Sequence, residues 1–201
     1  MESMNKITLN LKNLDEVSRL AAETISKGGI VIAPFDTVYG IIGNVYDDRV
    51  IERIFDFKNR DRSQTLGIAT DSINTIGKLT ELNDQQLDFI EKRTPGKYTF
   101  IVNLSQNNIS RYCQKDGTVA FRIPDSKLIL QIAILSGGTV AQTSANKNGQ
   151  PNCFSFSDLE QQFSIDELDQ IDLIIDDGQI PSTGASTIAD LTKDKITVVE
   201  R

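Results

Sequence analysis

Hydrophobic positions along the chain switch repeatedly between two spacings. Leu14, Val17, Leu20, Ala21 and Ile25 recur at helical intervals, and Gly28-Gly29 closes that segment. Ile30-Val31-Ile32-Ala33 is a continuous apolar run ending at Pro34, which predicts a strand buried on both faces. A second helix is expected through Val50, Ile51, Ile54 and Phe55. Asp47 and Asp48 lie at its amino end, where negative charge complements the helix dipole. Asn83 and Asp84 stand where an N-cap belongs, ahead of Leu87 and Ile90. After Asp125 a further helix carries Leu128, Ile132 and Leu135 on one face and is halted by Gly137-Gly138. Further strands are predicted at residues 7–9, 66–69, 98–104, 119–123, 139–141, 173–175, 187–189 and 196–199. The alternation predicts one α/β domain over residues 1–201, with a twisted mixed parallel and antiparallel sheet flanked by helices. No repeat or low-complexity tract interrupts it, and strand order does not follow from the pattern.

Composition narrows the chemistry. Hydrophobic residues make up 39% and charged residues 24%, an ordinary globular balance. The formal charge of −7 argues against a general nucleic-acid coat, so any contact with RNA is expected to be local or brief. There is no histidine, which excludes imidazole bases, histidine-held metals and phosphohistidine intermediates. Catalysis must then rest on carboxylates, lysine, arginine, hydroxyls, backbone amides or a metal bound through oxygen, and no protein-held metal site is expected. Cys113 and Cys153 read as free thiols of a reducing cytoplasm. The segment from Met1 to Lys6 lacks the apolar stretch of a signal peptide, and no run approaches the roughly 18 apolar residues of a membrane span. A cytoplasmic protein with no membrane contact is expected.

Phosphate chemistry suits this inventory, yet neither G-x-x-x-x-G-K-[ST] nor G-x-G-x-x-G occurs. Lys58-Asn59-Arg60-Asp61-Arg62 packs three cations into five residues just past a helix. Arginine forks can grip phosphate oxygens there, although cations at a helix C-terminus are also stabilising on their own. Gln142-Thr143-Ser144-Ala145-Asn146 follows a short buried strand, a common ligand position in open α/β sheets, and reads equally as a plain turn. In 118–122, Thr118, Ala120 and Arg122 share one strand face; a buried Arg122 needs an anionic partner, either an internal carboxylate or a ligand. Pro34-Phe35-Asp36-Thr37-Val38-Tyr39-Gly40 takes the chain out of a buried strand into an acid, a hydroxyl and an aromatic.

Taken in order, these segments resemble the threonylcarbamoyl-AMP synthase family (YrdC- or TsaC-like). Residues 34–41 match its P-T-D-T-V-Y-G-L, and Lys58 and Arg60 its K-x-R. Pro95-Gly96-Lys97-Tyr98-Thr99 matches P-G-P-x-T, and residues 118–122 match T-V-A-V-R. Residues 144–151 match S-A-N-x-S-G-x-P, residues 186–190 match S-T-V-V-D, and Arg201 resembles the closing arginine. The resemblance spans about residues 10–201 and implies a YrdC-like fold. It also implies condensation of L-threonine, bicarbonate or CO2, and ATP to threonylcarbamoyl-AMP and pyrophosphate, for threonylcarbamoyladenosine in tRNA. Mg²⁺ would be bound through the phosphates, and a downstream tRNA-modifying protein complex would take the product. By the same resemblance Lys58, Arg60 and Arg122 would be catalytic. Lys58, Arg60, Arg62, Thr118, Ser144, Asn146, Asn152 and Arg201 would bind ATP, and Thr37, Arg122, Gln142 and Ser186 would bind threonine and its carbamate. The chain departs from the pattern at Phe35, which replaces a hydroxyl residue on the amino-acid side, and at Asn59, Asp61, Lys97 and Asn148. An RNA-binding module and a carbamoyl-adenylate-forming carbamoyltransferase on the same scaffold are the alternative readings.

Overall fold

A computed structural model of the 201-residue chain describes residues 5–105, 108–182, 184, 186–193 and 195–199. Among these, ten strands join in one sheet: β1 (Lys6–Thr8), β2 (Val31–Pro34), β3 (Tyr39–Gly43), β4 (Gly67–Thr70), β5 (Tyr98–Asn103), β6 (Thr118–Arg122), β7 (Thr139–Ser144), β8 (Leu173–Asp176), β9 (Thr187–Asp190) and β10 (Thr197–Val199). Their order is β1-β8-β2-β3-β7-β4-β6-β5-β9-β10. β1–β8, β8–β2, β4–β6 and β5–β9 run parallel, and the other neighbours antiparallel. Helices α1 (Leu14–Ser26), α2 (Asp48–Lys58), α3 (Ile73–Gly77), α4 (Asp84–Glu91), α5 (Lys127–Leu135), α6 (Phe156–Gln162) and α7 (Ile165–Leu168) connect them. No helix among the described residues is long and apolar enough to cross a membrane.

Strand alternation divides the core in two. Val31, Ala33, Ile42, Ala69 and Val140 face α1 and α5, where they meet Val17, Ala21, Leu128, Ile129 and Ile132. Ile32, Ile41, Ile68, Phe100 and Phe121 face the opposite way, onto α2 through Val50, Ile51, Ile54 and Phe55. Helix starts follow their caps: Asp47 accepts from the Arg49 amide, and Asn83 with Gln86 closes a capping box on α4.

Several elements differ from the sequence expectation. β3 was hidden in the segment after Pro34; it pairs with β2 as a hairpin whose turn closes by the Phe35 amide donating to the Val38 carbonyl at 3.0 Å. β7 continues through Ser144 instead of ending at Ala141. Gln142 and Thr143 therefore lie inside the sheet between β3 and β4, not in a loop. Leu135 is exposed, so α5 buries Leu128, Ile129, Ile132 and Ala133 instead of a face carrying Leu135. The short helices α3, α6 and α7 offer too few turns for an apolar period to show.

Candidate active site

The face that α1 and α5 cover continues past them as an open cleft of about 260 Å³. Register explains its lining. Ala69 of the α1/α5 core pairs with Arg122, and Ile42 of the same core pairs with Gln142. Gln142 in turn lies opposite Gly67, so the inward alternation of β4, β6 and β7 delivers Gly67, Ala120, Arg122 and Gln142 to one floor. An added Cβ at Gly67 would sit 2.8 Å from Gln142 Nε2, so glycine leaves the amide its place. Thr99 and Ile188 extend the floor across β5 and β9, and Thr37, Ser144, Asn152 and Ser186 stand around it.

Arg122 is 5% exposed. Its Nη2 donates to both carboxylate oxygens of Asp36, at 2.7 and 2.9 Å, and its Nη1 donates to Thr37 Oγ1 at 3.1 Å. Both side chains of this ion pair are 6% exposed. Its Nε is buried with no protein partner. The internal carboxylate foreseen for Arg122 is thus Asp36. Burial pulls the Arg122 pKa below its ordinary value, with Asp36 opposing that shift.

Arg60 enters from the other layer. Asn59, the C-cap of α2, adopts the left-handed conformation (φ 49°, ψ 47°), which turns the chain back towards the sheet. Asparagine tolerates that conformation better than most residues with a side chain, so Asn59 can serve at this turn. Arg60 Nη1 then donates to Thr143 Oγ1 at 3.1 Å and Nη2 to the Thr65 carbonyl at 2.8 Å, while Nε is buried without a protein partner. Burial lowers its pKa too. Two arginines therefore line one cleft.

Lys58 takes a different position from Arg60. It is 2% exposed, and its ammonium donates to the carbonyls of Ser144 and Asn146 and to Asn146 Oδ1 at 3.2 Å. The Asn148 amide returns a bond to the Lys58 carbonyl at 2.9 Å. Asn146 Nδ2 donates to the Gln150 carbonyl at 2.6 Å, and Ser144 Oγ donates to Asn146 Oδ1 at 2.5 Å. Lys58 and Asn146 thus brace the 144–150 loop from behind, whereas Ser144 lines the cleft. Burial, then the Arg60 charge, pushes the Lys58 pKa down to about 7.

Arg62 is exposed and pairs with Asp56 at 2.6 Å, not with Asp61 and not in the cleft. Thr118 Oγ1 donates to the Lys115 carbonyl at 2.7 Å and also stands outside the lining. Arg201 lies outside the described residues. Phe35, the departure on the amino-acid side, lines a second cavity of about 330 Å³ with Pro34, Leu14 and Leu128, and the Arg122 guanidinium lies 5.9 Å above its ring. Sequence reasoning named Asp36 and Thr143 within candidate segments without giving either a role, assigned none to Thr99 although it lies within a matched motif, and passed over Gly67.

The family model for Sua5, YciO and YrdC proteins, described as "Telomere recombination", matches residues 23–201. The chain belongs to the Sua5/YciO/YrdC family. A Methanocaldococcus jannaschii protein with the provisional name threonylcarbamoyl-AMP synthase is 29% identical over 94% of this chain and 86% of its own length. The threonylcarbamoyl-AMP synthase of Pyrococcus abyssi is 31% identical over 87% of this chain, which spans about half (51%) of that relative. The crystal structure of P. abyssi Sua5 complexed with L-threonine superposes with a TM-score of 0.84 at 28% identity, covering 96% of this chain and 56% of that one.

Proposed function

We propose that this chain condenses L-threonine, bicarbonate or CO2, and ATP to threonylcarbamoyl-AMP with release of pyrophosphate. One observation carries the reading within the family: two arginines, Arg60 and Arg122, line a single small cleft together with Thr37, Gln142, Ser144 and Ser186. The reaction has to bring two anions together; Arg60 brings a cation to the cleft, and Arg122, its charge already paired with Asp36, offers hydrogen bonds beside it. Arg122, Thr37, Gln142 and Ser186 would hold the amino acid and its carbamate. Arg60, Ser144 and Asn152 would face the nucleotide, with Arg62 and Thr118 as outer contributors, and Arg201 would also serve ATP. Lys58 and Asn146 would serve ATP through the loop they brace.

The threonine amine and bicarbonate give the carbamate with loss of water. A carbamate oxygen then attacks the α-phosphorus; the new O–P bond forms as the bond to the bridging oxygen breaks, and pyrophosphate leaves. The carbamate is already anionic, so no strong general base is needed, which suits a chain without histidine. Guanidiniums aimed at the transferring phosphoryl oxygens lower the barrier by preorganised charge. Among the described residues no group of three or more His, Cys, Asp and Glu side chains gathers to hold a metal, and Asp36 beside the cleft is committed to Arg122. Mg²⁺ would arrive with ATP, held by the phosphates. The product would pass in the cytoplasm to a tRNA-modifying protein complex, with at most weak tRNA contact by this acidic chain.

The test is pyrophosphate release from ATP with bicarbonate, with and without L-threonine. Threonine-dependent release above background is expected. Its absence would remove the reading, and release with carbamoyl phosphate but not threonine would favour a carbamoyl-adenylate enzyme instead.

A further inference from the structure

The Pro95-Gly96-Lys97-Tyr98-Thr99 motif has no part in the assignment above, yet it ends on the floor of the cleft. Phe100 pairs with Phe121 across the antiparallel β5–β6 ladder, so the register continues with Thr99 opposite Arg122. Opposed residues hold their Cβ atoms about 4.5–5.5 Å apart, so Thr99 stands beside the base of the Arg122 side chain, and both line the cleft. On its other side the parallel β5–β9 pair sets Thr99 beside Ile188. Thr99 Oγ1 and Ser186 Oγ share a hydrogen bond of 2.8 Å. Both residues are half-buried and both line the cleft. Two hydroxyls carry two protons and four lone pairs; their mutual bond uses one of each. One O–H and three lone pairs are left for a ligand, next to the group best suited to a carboxylate.

We infer that the Thr99–Ser186 hydroxyl pair reads the side-chain hydroxyl of a β-hydroxy amino acid whose carboxylate rests on Arg122, with Thr99 the specificity-determining residue that orients Ser186. The inference rests on the function proposed above. In such a substrate two carbons separate the hydroxyl from the carboxylate carbon, a span that neighbouring strands can bridge. A site built to bond a substrate hydroxyl rejects the analogue that lacks it, because its own half-buried polar groups would be left unpaired. Ile188 alongside supplies an apolar surface for the methyl of threonine.

Thr99→Val keeps the shape and the strand preference but removes the hydroxyl. The experiment compares L-threonine with L-2-aminobutyrate, which lacks only the hydroxyl, by pyrophosphate release at saturating ATP and bicarbonate. In Thr99→Val, kcat/KM for threonine should fall on the order of tenfold or more, chiefly through KM. That for aminobutyrate should change little, so the preference collapses while KM for ATP stays put. Thr99→Ser, which restores the hydroxyl, should restore the preference. An unchanged threonine-to-aminobutyrate ratio in Thr99→Val, or equal losses in the valine and serine variants, overturns the inference and leaves the synthase reading standing. A wild-type protein with no threonine-dependent release overturns both.

Discussion

Asp36→Asn isolates the electrostatic core of the cleft. The wild-type pair joins Arg122 Nη2 to both Asp36 oxygens at 2.7 and 2.9 Å, with each side chain 6% exposed. Removing one member of a buried pair costs roughly 3–5 kcal/mol, because the other charge stays desolvated without its counter-ion. Asparagine keeps the shape and one acceptor oxygen, and Arg122 keeps its bond to Thr37, so the lower end applies: about 3 kcal/mol. For a chain of this size each kcal/mol moves Tm by about 2–4 °C, so the midpoint should drop by roughly 6–12 °C. Urea denaturation followed by far-UV circular dichroism measures the loss. Adding Arg122→Met removes the stranded charge, and the double variant should regain about 2 kcal/mol relative to the sum of the single losses. A loss below about 1 kcal/mol for Asp36→Asn, or single losses that simply add, would refute the claim that Asp36 neutralises a buried guanidinium.

Arg60→Ala should lower kcat/KM on the order of a hundredfold while costing about 1 kcal/mol of stability through the lost bond to the Thr65 carbonyl; steady-state kinetics beside a thermal melt separates the two. Gly67→Ala places a methyl 2.8 Å from the end of the flexible Gln142 side chain and 3.3 Å from the Ala120 carbonyl, so KM for threonine should rise and stability should fall by about 1 kcal/mol, and an unchanged KM would count against the assigned geometry. Lys58 has a folded pKa of about 7 against an unfolded value of 10.5, so between these limits the unfolded chain binds more protons and stability rises with pH. The stability of wild type relative to Lys58→Met, from urea melts, should therefore improve by about 2 kcal/mol from pH 7 to pH 9, and a flat or opposite trend contradicts the burial of that ammonium.

What was legible in the sequence, and what was not, follows from how each residue acts. The helices with several turns and the apolar strand at residues 30–33 announce themselves, because burial of a whole face requires a period. β3 did not, since Tyr39-Gly40 reads as the end of a motif and its partners β2 and β7 are known only from the fold. Among the residues singled out for the site, motif matching gathered Thr37, Arg60, Arg122, Gln142, Ser144, Asn152 and Ser186, all of which meet at the cleft. It could not separate Arg60 from Lys58, two residues earlier, because the pattern K-x-R says nothing of direction. Direction is set by Asn59: Lys58 is the last helical residue and points under the 144–150 loop, and the left-handed step after it swings Arg60 to the far side of that loop. A lysine and an arginine that look equivalent in sequence thus divide the work. One fixes the loop by bonds to its carbonyls, and the other brings its guanidinium to the cleft lining. Replacing Asn59 by a β-branched residue, for which the left-handed conformation is strained, should therefore disturb Arg60 more than Lys58, whose place is already set by the helix.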